Sequence, residues 1–437
     1  MGRRKGLLRM INRSQRFARR AVKVEHAQSM IMQHVQQMDS EHVSIDSCLH
    51  RRISEPLFSK ECMPHFRRSG LDGYAVLSEE ASFATPQNPT RLKVVDEVPA
   101  GSISSKQVVP GTAIRVMTGS AIPEGSNAVV MFEQTEEIQE DGQVFIHVKH
   151  KVAYGQNIAG VGDEITTGQL LMGVGTRIGP GQIALLASLG FDKVPVVRRP
   201  VVGILTTGNE LIAAGEPLLP GKIRNSNAYM LAAQVEQYGG LAVKYGTVPD
   251  DMDEVARTIR TAIEECDILL VSGGVSVGDY DVMADFFSTM KGNGMELLFN
   301  KIAMRPGSPT SAAIINKKLL FGLSGNPGAC FVGFELLVRP VLLTMQGTVD
   351  PFNQASKAVM ADDFGKGCPH DRYIRGHMTY SNQQMSVSVL NKNSSSMLVS
   401  IQHANCLILI PSGSKGIAAG QQAEVIPLPY EITLYGK

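Results

Sequence analysis

Almost no net charge remains on this 437-residue chain: 42 Lys and Arg against 41 Asp and Glu leave +1. That balance excludes a surface built as a whole to hold nucleic acid or an anionic membrane, so any anion site must be local. Paired cysteine motifs are also lacking. Cys48, Cys62, Cys266, Cys330, Cys368 and Cys406 never fall into a C-x-x-C spacing, which argues against a zinc ribbon or a thioredoxin-type motif. They are also too sparse for a disulfide scaffold. Reduced thiols in a cytoplasmic protein are the expectation. No uninterrupted apolar run approaches the ~20 residues that cross a bilayer, so no membrane partner is expected. The ten histidines are scattered without metal-ligand spacing, and no Ser/His/Asp order stands out.

What is present is ordinary for a folded protein: 43% hydrophobic and 19% charged residues. A single core rarely grows beyond ~250–300 residues, so at least two domains are expected. The first 23 residues hold nine Lys or Arg and no acid. They lack the apolar stretch of a signal peptide, and residues 1–20 read as a basic extension.

Texture divides the rest. Val22, Ala27, Met30, Ile31 and Val35 recur at helical spacing, so residues 20–60 read as mostly helical. Short β-rich pieces (Leu92–Val95, Ala113–Met117, Ala128–Phe132, Val144–Val148) alternate with Gly and Pro up to about residue 152 and suggest a compact β domain. Residues 200–346 alternate strand and helix patterns. The continuous apolar run Val201–Leu205, and Leu241–Val248, Ile268–Val271 and Leu319–Leu323, read as strands, and Ala228–Tyr238 and Met252–Glu265 as helices. Such alternation predicts a parallel sheet covered on both faces, with ligands beyond the carboxyl ends of its strands. After residue 350, short alternating strands such as Ser386–Leu390 and Cys406–Ile410 fit a small β-barrel or β-sandwich.

Two Gly-rich turns fall at those carboxyl ends. The first, S-G-G-V-S-V-G, runs from Ser272 through Gly273, Gly274 and Ser276 to Gly278, then reaches Asp279 and Asp281. Glycine lets backbone N–H groups approach an anion closely, and a following helix N-terminus favours negative charge. It is neither G-x-G-x-x-G nor a G-x-x-x-x-G-K-[ST] phosphate loop; alone, it is equally a tight strand–helix turn. The second, L-S-G-N-P-G, contains Ser324, Gly325, Asn326 and Pro327. Two such turns in one sheet point to a phosphate-bearing ligand. Between them, M-R-P-G-S-P holds Arg305, Pro306 and Ser308, and Arg305 offers a cationic fork for an oxyanion. Carboxylates gather in loop-like places: Asp72, Asp163, Glu164, Asp250 and Asp251. Hard oxygen ligands beside phosphate turns suit Mg²⁺. Asp251 could equally cap the next helix.

Together these stretches resemble the molybdopterin molybdenumtransferases, the family of bacterial MoeA and the gephyrin E domain. The matching runs are R-S-G-L-D-G-Y-A-V (Arg68–Val76), A-I-R-V-M-T-G-S-A-I-P-E-G (Ala113–Gly125), A-V-V-M-F-E (Ala128–Glu133), G-Q-N-I-A-G-V-G-D-E-I (Gly155–Ile165), L-T-T-G-N-E-L (Leu205–Leu211), V-P-D-D, S-G-G-V-S-V-G-D-Y-D, G-L-S-G-N-P-G and S-S-S-M-L-V-S (Ser394–Ser400). They occur in family order, from about residue 22 to the C-terminus. The resemblance implies a multidomain α/β plus β fold. A helical linker domain would take residues 21–65 and 153–199, and an inserted small β domain residues 66–152. A central doubly wound molybdopterin-binding α/β domain would take residues 200–347, and a C-terminal β-barrel-like domain residues 348–437.

It also implies an elongated cytoplasmic homodimer that inserts molybdenum from molybdate into adenylylated molybdopterin. Hydrolysis would depend on Mg²⁺ and release AMP. Asp72, Glu164, Asp250 and Asp281 align with acidic positions of the family site, with Asp250, Asp281 and Glu210 as metal ligands and Asp72 near the pterin or water. The two turns, the Arg305–Ser308 stretch, Ser394 and Ser395 would hold substrate. The molybdopterin adenylyltransferase and molybdoenzyme apoproteins would be partners. A non-catalytic ligand-binding or scaffold protein on the same fold is the alternative. An enzyme that adenylylates molybdopterin fits less well, since the α/β domain alone suffices for it.

Five positions depart from the family pattern. Asn225 stands where the family usually has Asp, Asn209 where bacterial members usually have Asp, and Ser324 where Pro is usual. The usual K-P-G-K-P is R-P-G-S-P, so Arg305 replaces one lysine and the neutral Ser308 another.

Overall fold

The computed structural model describes residues 20–274, 282–290, 294–352, 355–381, 383–391, 393–431 and 433–434. Ser276, Gly278 and Asp281 lie outside them, as does nearly all of the basic extension. The chain forms two compact units. One comprises residues 44–49 and 55–194; the other holds residues up to 43, residues 50–54, and everything from 195 on.

The first described helix, α1 (Val24–Met32), belongs to the larger unit and buries Val24, Ala27 and Ile31 on one face. The smaller unit is built on six strands: β1 (Gly73–Val76), β2 (Thr90–Val98), β3 (Thr112–Val116), β4 (Ala128–Met131), β5 (Thr135–Glu140) and β6 (Gln143–Val148). They form one sheet in the order β4-β1-β3-β2-β6-β5. Alternation places Tyr74, Val76, Leu92, Val130 and Ile146 in one core and Ala75, Ile114, Val116 and Val129 in another.

The segments expected to be helical carry less helix than their pattern suggests. They contain α1 and the nine-residue α2 (Pro180–Ser188), joined by turns and short strands such as Ser40–Ser44 and Leu57–Phe58. Pro56, Pro64 and six glycines from Gly155 to Gly175 break any longer helix.

The larger unit opens with a doubly wound domain. Its sheet has β7 (Val201–Thr207), β8 (Leu241–Val248), β9 (Ile268–Ser272), β10 (Met295–Phe299), β11 (Ser311–Ile315) and β12 (Lys318–Leu323), in the order β8-β7-β9-β12-β11-β10. The first four in that order are parallel; β11 pairs antiparallel with β12 and with β10. The helices are α3 (Asn227–Gln237), α4 (Met252–Glu265), α5 (Val282–Met290) and α6 (Pro327–Met345).

Strand period two sorts the sheet's side chains between two cores. Ile268 and Leu270 join α1, α3 and α6 on one face, whereas Leu269 and Val271 join α4 and α5 on the other. Burial on both faces explains why β9 reads as an unbroken apolar run. Helix α4 buries Val255, Ile259, Ala262 and Ile263, and Asp251 caps it by accepting from the amides of Asp253 and Glu254 at 3.1 and 3.0 Å.

Helix α6 contains a π segment, Phe334–Val338. Pro340 cannot donate to the Leu336 carbonyl, and Gln28 Nε2 of α1 donates to it instead at 2.8 Å. Among the described residues α6 alone is long and apolar enough to cross a membrane, yet 83% of that stretch is buried inside the fold.

The C-terminal part is a closed barrel. Its strands are β13 (Ser356–Met360), β14 (Asp371–Ser381), β15 (Gln384–Val389), β16 (Cys406–Ile410) and β17 (Gln422–Pro427). The eleven-residue β14 closes the ring by pairing with β16 along Arg372–Gly376 and with β15 along Gly376–Ser381. At the shared position only glycine fits, because a Cβ on Gly376 would lie 2.7 Å from Ile408.

Candidate functional site

The strand order β8-β7-β9 makes a switch point. From β7 the chain crosses to β8 on one side, then returns to β9 on the other, and the loops diverge. A cavity of about 920 Å³ lies at the carboxyl ends of these strands, lined by Thr207, Glu210, Asn227, Asp250, Gly273 and Ser324 among others.

Its floor holds Ser272–Gly274, the described part of the first Gly-rich turn, packed against the second turn. Gly273 N donates to Leu323 O at 3.2 Å, and Ser272 Oγ donates to Ser324 O at 3.3 Å. Asn227, at the start of α3, donates from one amide nitrogen to Ser272 Oγ at 2.8 Å and to Gly325 O at 2.9 Å. Glycine is required at 273: its φ is +97°, and a Cβ would sit 2.2 Å from Thr207 O. In the second turn, Ser324 Oγ accepts from Asn326 N, and Pro327 opens α6 at a position where the missing N–H costs nothing.

Glu210 and Asp250 face this cavity. Among the described residues, Asp250 Oδ1 is buried without a donor and Thr207 Oγ1 without a partner. Asp250 N donates to Asn209 Oδ1 at 3.3 Å, which gives Asn209 a positioning part that needs no charge. Asn225 is buried and fully engaged. Its amide nitrogen donates to the hydroxyls of Thr206 and Thr247, and its Oδ1 accepts from Ala228 N at 3.1 Å. These bonds clamp β7, β8 and α3 together at the wall of the cavity, which Asn225 also lines.

No cluster of three or more His, Cys, Asp or Glu side chains that could hold a metal occurs among the described residues. A carboxylate oxygen buried without a donor nevertheless fits Mg²⁺, which keeps several waters and takes one or two carboxylates plus substrate phosphates.

A second cavity of about 810 Å³ shares Pro309, Ser324 and Asn326 with the first. It lies where the α/β domain meets the barrel. Lys301, Arg305, Lys366 and Arg372 line it, with no carboxylate. Pro306, Ser308, Ser394 and Ser395 line it too, and the Arg305–Pro306 peptide is cis. Ser308 Oγ donates to Ile302 O at 3.0 Å, so its proton fastens the loop. Ser395 O accepts from Gly328 N at 2.8 Å, and Ser394 O accepts from Arg375 Nη2 at 2.8 Å.

Arg375 was not singled out in the sequence. It is 1% exposed, also donates to Ser400 Oγ at 2.9 Å, and burial pushes its pKa down to about 10 with no carboxylate to offset it. Its strand, D-R-Y-I-R-G-H-M-T-Y-S, carries other charges, so the sequence alone does not set it apart.

Asp72 and Glu164 belong to the smaller unit. Asp72 accepts from Thr118 N at 2.7 Å and Thr118 Oγ1 at 2.8 Å, and these bonds hold its carboxyl below the usual range. Thr118, inside a matching motif but not singled out, is the group that orients it. Glu164 pairs with Arg68 at 2.8 Å, with both side chains exposed.

Known proteins match along the whole described fold. Residues 22–190 match the MoeA N-terminal region (domain I and II), residues 203–344 the probable molybdopterin binding domain, and residues 357–428 the MoeA C-terminal region (domain IV). The chain is 39% identical to a molybdopterin molybdenumtransferase of Bacillus subtilis, over 93% of this chain and 94% of that one. It is likewise 39% identical to one of Staphylococcus aureus (strain COL), over 93% and 96%. The crystal structure of a molybdopterin biosynthesis MoeA protein from Pyrococcus horikoshii OT3 superposes with a TM-score of 0.77 at 32% identity, covering 93% of this chain and all of that one. The chain belongs to the molybdopterin molybdenumtransferase family.

Proposed function

We propose that this chain is a molybdopterin molybdenumtransferase, which inserts molybdenum from molybdate into adenylylated molybdopterin with Mg²⁺-dependent hydrolysis and release of AMP. One observation carries this reading. Two cavities adjoin through Pro309, Ser324 and Asn326, one lined by Asp250 and Glu210 and the other by cations without acids. A substrate with a phosphoanhydride and an acceptor for an oxyanion needs two such neighbouring environments.

In this reading the turns Ser272–Gly274 and Ser324–Pro327 form the part of the cavity that takes the nucleotide's phosphates. Asp250 and Glu210 would hold Mg²⁺, and Asp281 is assigned to the same role from its place in the motif. Mg²⁺ held there would supply charge neutralisation for the phosphate oxygens of the anhydride. Asp72, whose carboxylate is oriented by Thr118, is assigned a place near the pterin or water from its position in the motif. Arg305, which lines the second cavity, would supply positive charge for the molybdate oxyanion, and the buried Arg375, bonded to the cavity-lining Ser394, is assigned to support it from behind.

The same reading makes the protein a cytoplasmic homodimer. All six cysteines are free, as a reducing compartment requires. The molybdopterin adenylyltransferase is the proposed source of its substrate, and molybdoenzyme apoproteins the acceptors of its product. Reconstitution tests it: purified protein, adenylylated molybdopterin, Mg²⁺ and molybdate should activate a molybdenum-free apoenzyme. Tight nucleotide binding without activation would mark a binding or scaffold protein instead.

A further inference from the structure

Four cations face one cavity with no acid among its lining residues, an arrangement that costs repulsion unless an anion joins them. Two of them are closer than the sequence suggests. The short strand Met304–Arg305 runs parallel to the start of β14, with Arg305 in register with Arg372. Like charges on neighbouring strands destabilise the pair. Neither arginine forms an ion pair among the described residues. The neighbouring Asp371 accepts from Ser412 N at 2.8 Å. Arg372 Nε is buried and has no hydrogen-bond partner among the described residues, and its guanidinium lies 5.9 Å from the Phe364 ring, another wall of the cavity. Lys366, two residues beyond Phe364, is exposed on the same rim.

We propose that Arg372, assisted by Lys366, is a further oxyanion-binding residue of this chain and supplies the charge that Ser308 does not. This rests on the molybdenumtransferase reading above. Ser308 cannot supply it, because the residue is neutral and its hydroxyl proton is held by Ile302 O. Arg372 reaches the same cavity from the barrel instead of from the Arg305 loop. Its planar fork suits a tetrahedral dianion, to which Arg305 offers a second fork. The ligand class is a tetrahedral metal oxyanion, molybdate or tungstate. A free phosphate shares that chemistry, so the test includes it.

Molybdate, tungstate and inorganic phosphate binding would be measured by calorimetry on the full chain and on Arg372→Ala, Arg372→Lys and Lys366→Ala. Molybdate-dependent AMP release would be followed in parallel. Arg372→Ala should weaken molybdate about tenfold or more, as loss of a charge-assisted bond does, and raise the KM for molybdate while the KM for the nucleotide holds. Arg372→Lys should recover part of the loss, and Lys366→Ala should lose a few-fold. A folded Arg372→Ala protein that binds molybdate like the parent would overturn the proposal. If that variant does not fold, unchanged molybdate affinity in Lys366→Ala, an exposed position, overturns it. Preference for phosphate that molybdate cannot displace would also overturn it. Failure of the unsubstituted protein to bind any of these anions or release AMP would instead sink the function reading itself.

Discussion

The side-chain nitrogen of Asn227 lies 2.8 Å from Ser272 Oγ and 2.9 Å from Gly325 O, so one amide holds together the two turns that form the cavity floor. Asn227→Ala should loosen both at once. Loss of these buried bonds costs about 1–3 kcal/mol of stability, and nucleotide affinity should fall by about tenfold. Asn227→Asp should be no better, because a carboxylate cannot donate to Gly325 O. Calorimetric titration with the nucleotide and a thermal melt of each variant check this.

Gly273 makes a harsher case. A methyl group there meets Thr207 O at 2.2 Å, in a backbone conformation that L residues rarely adopt. Gly273→Ala should cost at least about 2 kcal/mol and abolish measurable nucleotide binding. Gly215→Ala, an open position where a Cβ meets nothing within 4 Å, is the control and should behave like the parent protein.

Gly328 sets where Arg375 lies. A Cβ there would be 2.4 Å from its Nη1. Gly328→Val should push the guanidinium out of its bonds to Ser394 O and Ser400 Oγ. Oxyanion affinity should drop about tenfold, while nucleotide binding, read separately, changes little.

The legibility of the sequence was uneven, for physical reasons. Strands β7, β9 and β12 were readable because burial on both sheet faces makes continuous apolar runs, and helix α4 because a one-sided helix makes a 3.6-residue stripe; β8, a largely exposed edge strand, was read from the strand–helix alternation around it. Strands β10 and β11 were not foreseen: they are five residues each and flank a Pro-rich loop. Strand β5 was equally hidden, since T-E-E-I-Q-E is a solvated edge with little apolar signal. Barrel closure depends on one strand pairing twice, which no local pattern announces. At the site, the glycine turns and acids were visible as motifs. Thr118, Asn227, Arg372 and Arg375 were not, because their parts come from long-range partners.

Glu335 gives a pH prediction. Burial raises its pKa, while Tyr238 OH and Gln234 Nε2 donate to its two oxygens at 2.7 Å each. An acid whose folded pKa is raised contributes stability that is greatest below the unfolded value near 4.5 and is lost as pH rises through the folded one. Glu335→Gln should remove that slope. Melting temperatures of parent and variant should converge, or reverse in favour of the variant, as pH rises from about 5 to 8. A constant gap over that range would show that Glu335 does not titrate there.

Asp250 carries the central claim, since its Oδ1 is buried beside the turns without a donor. The most direct measurement is AMP release from adenylylated molybdopterin, with Mg²⁺ and molybdate varied independently, in the parent protein and in Asp250→Asn. The account predicts release that requires both ions in the parent. In the variant, release should fall by about a hundredfold or more with nucleotide affinity retained, as expected when an electrostatic group acting mainly in the transition state is removed. Release that ignores Mg²⁺ and molybdate, or an Asp250→Asn protein as fast as the parent, would contradict it.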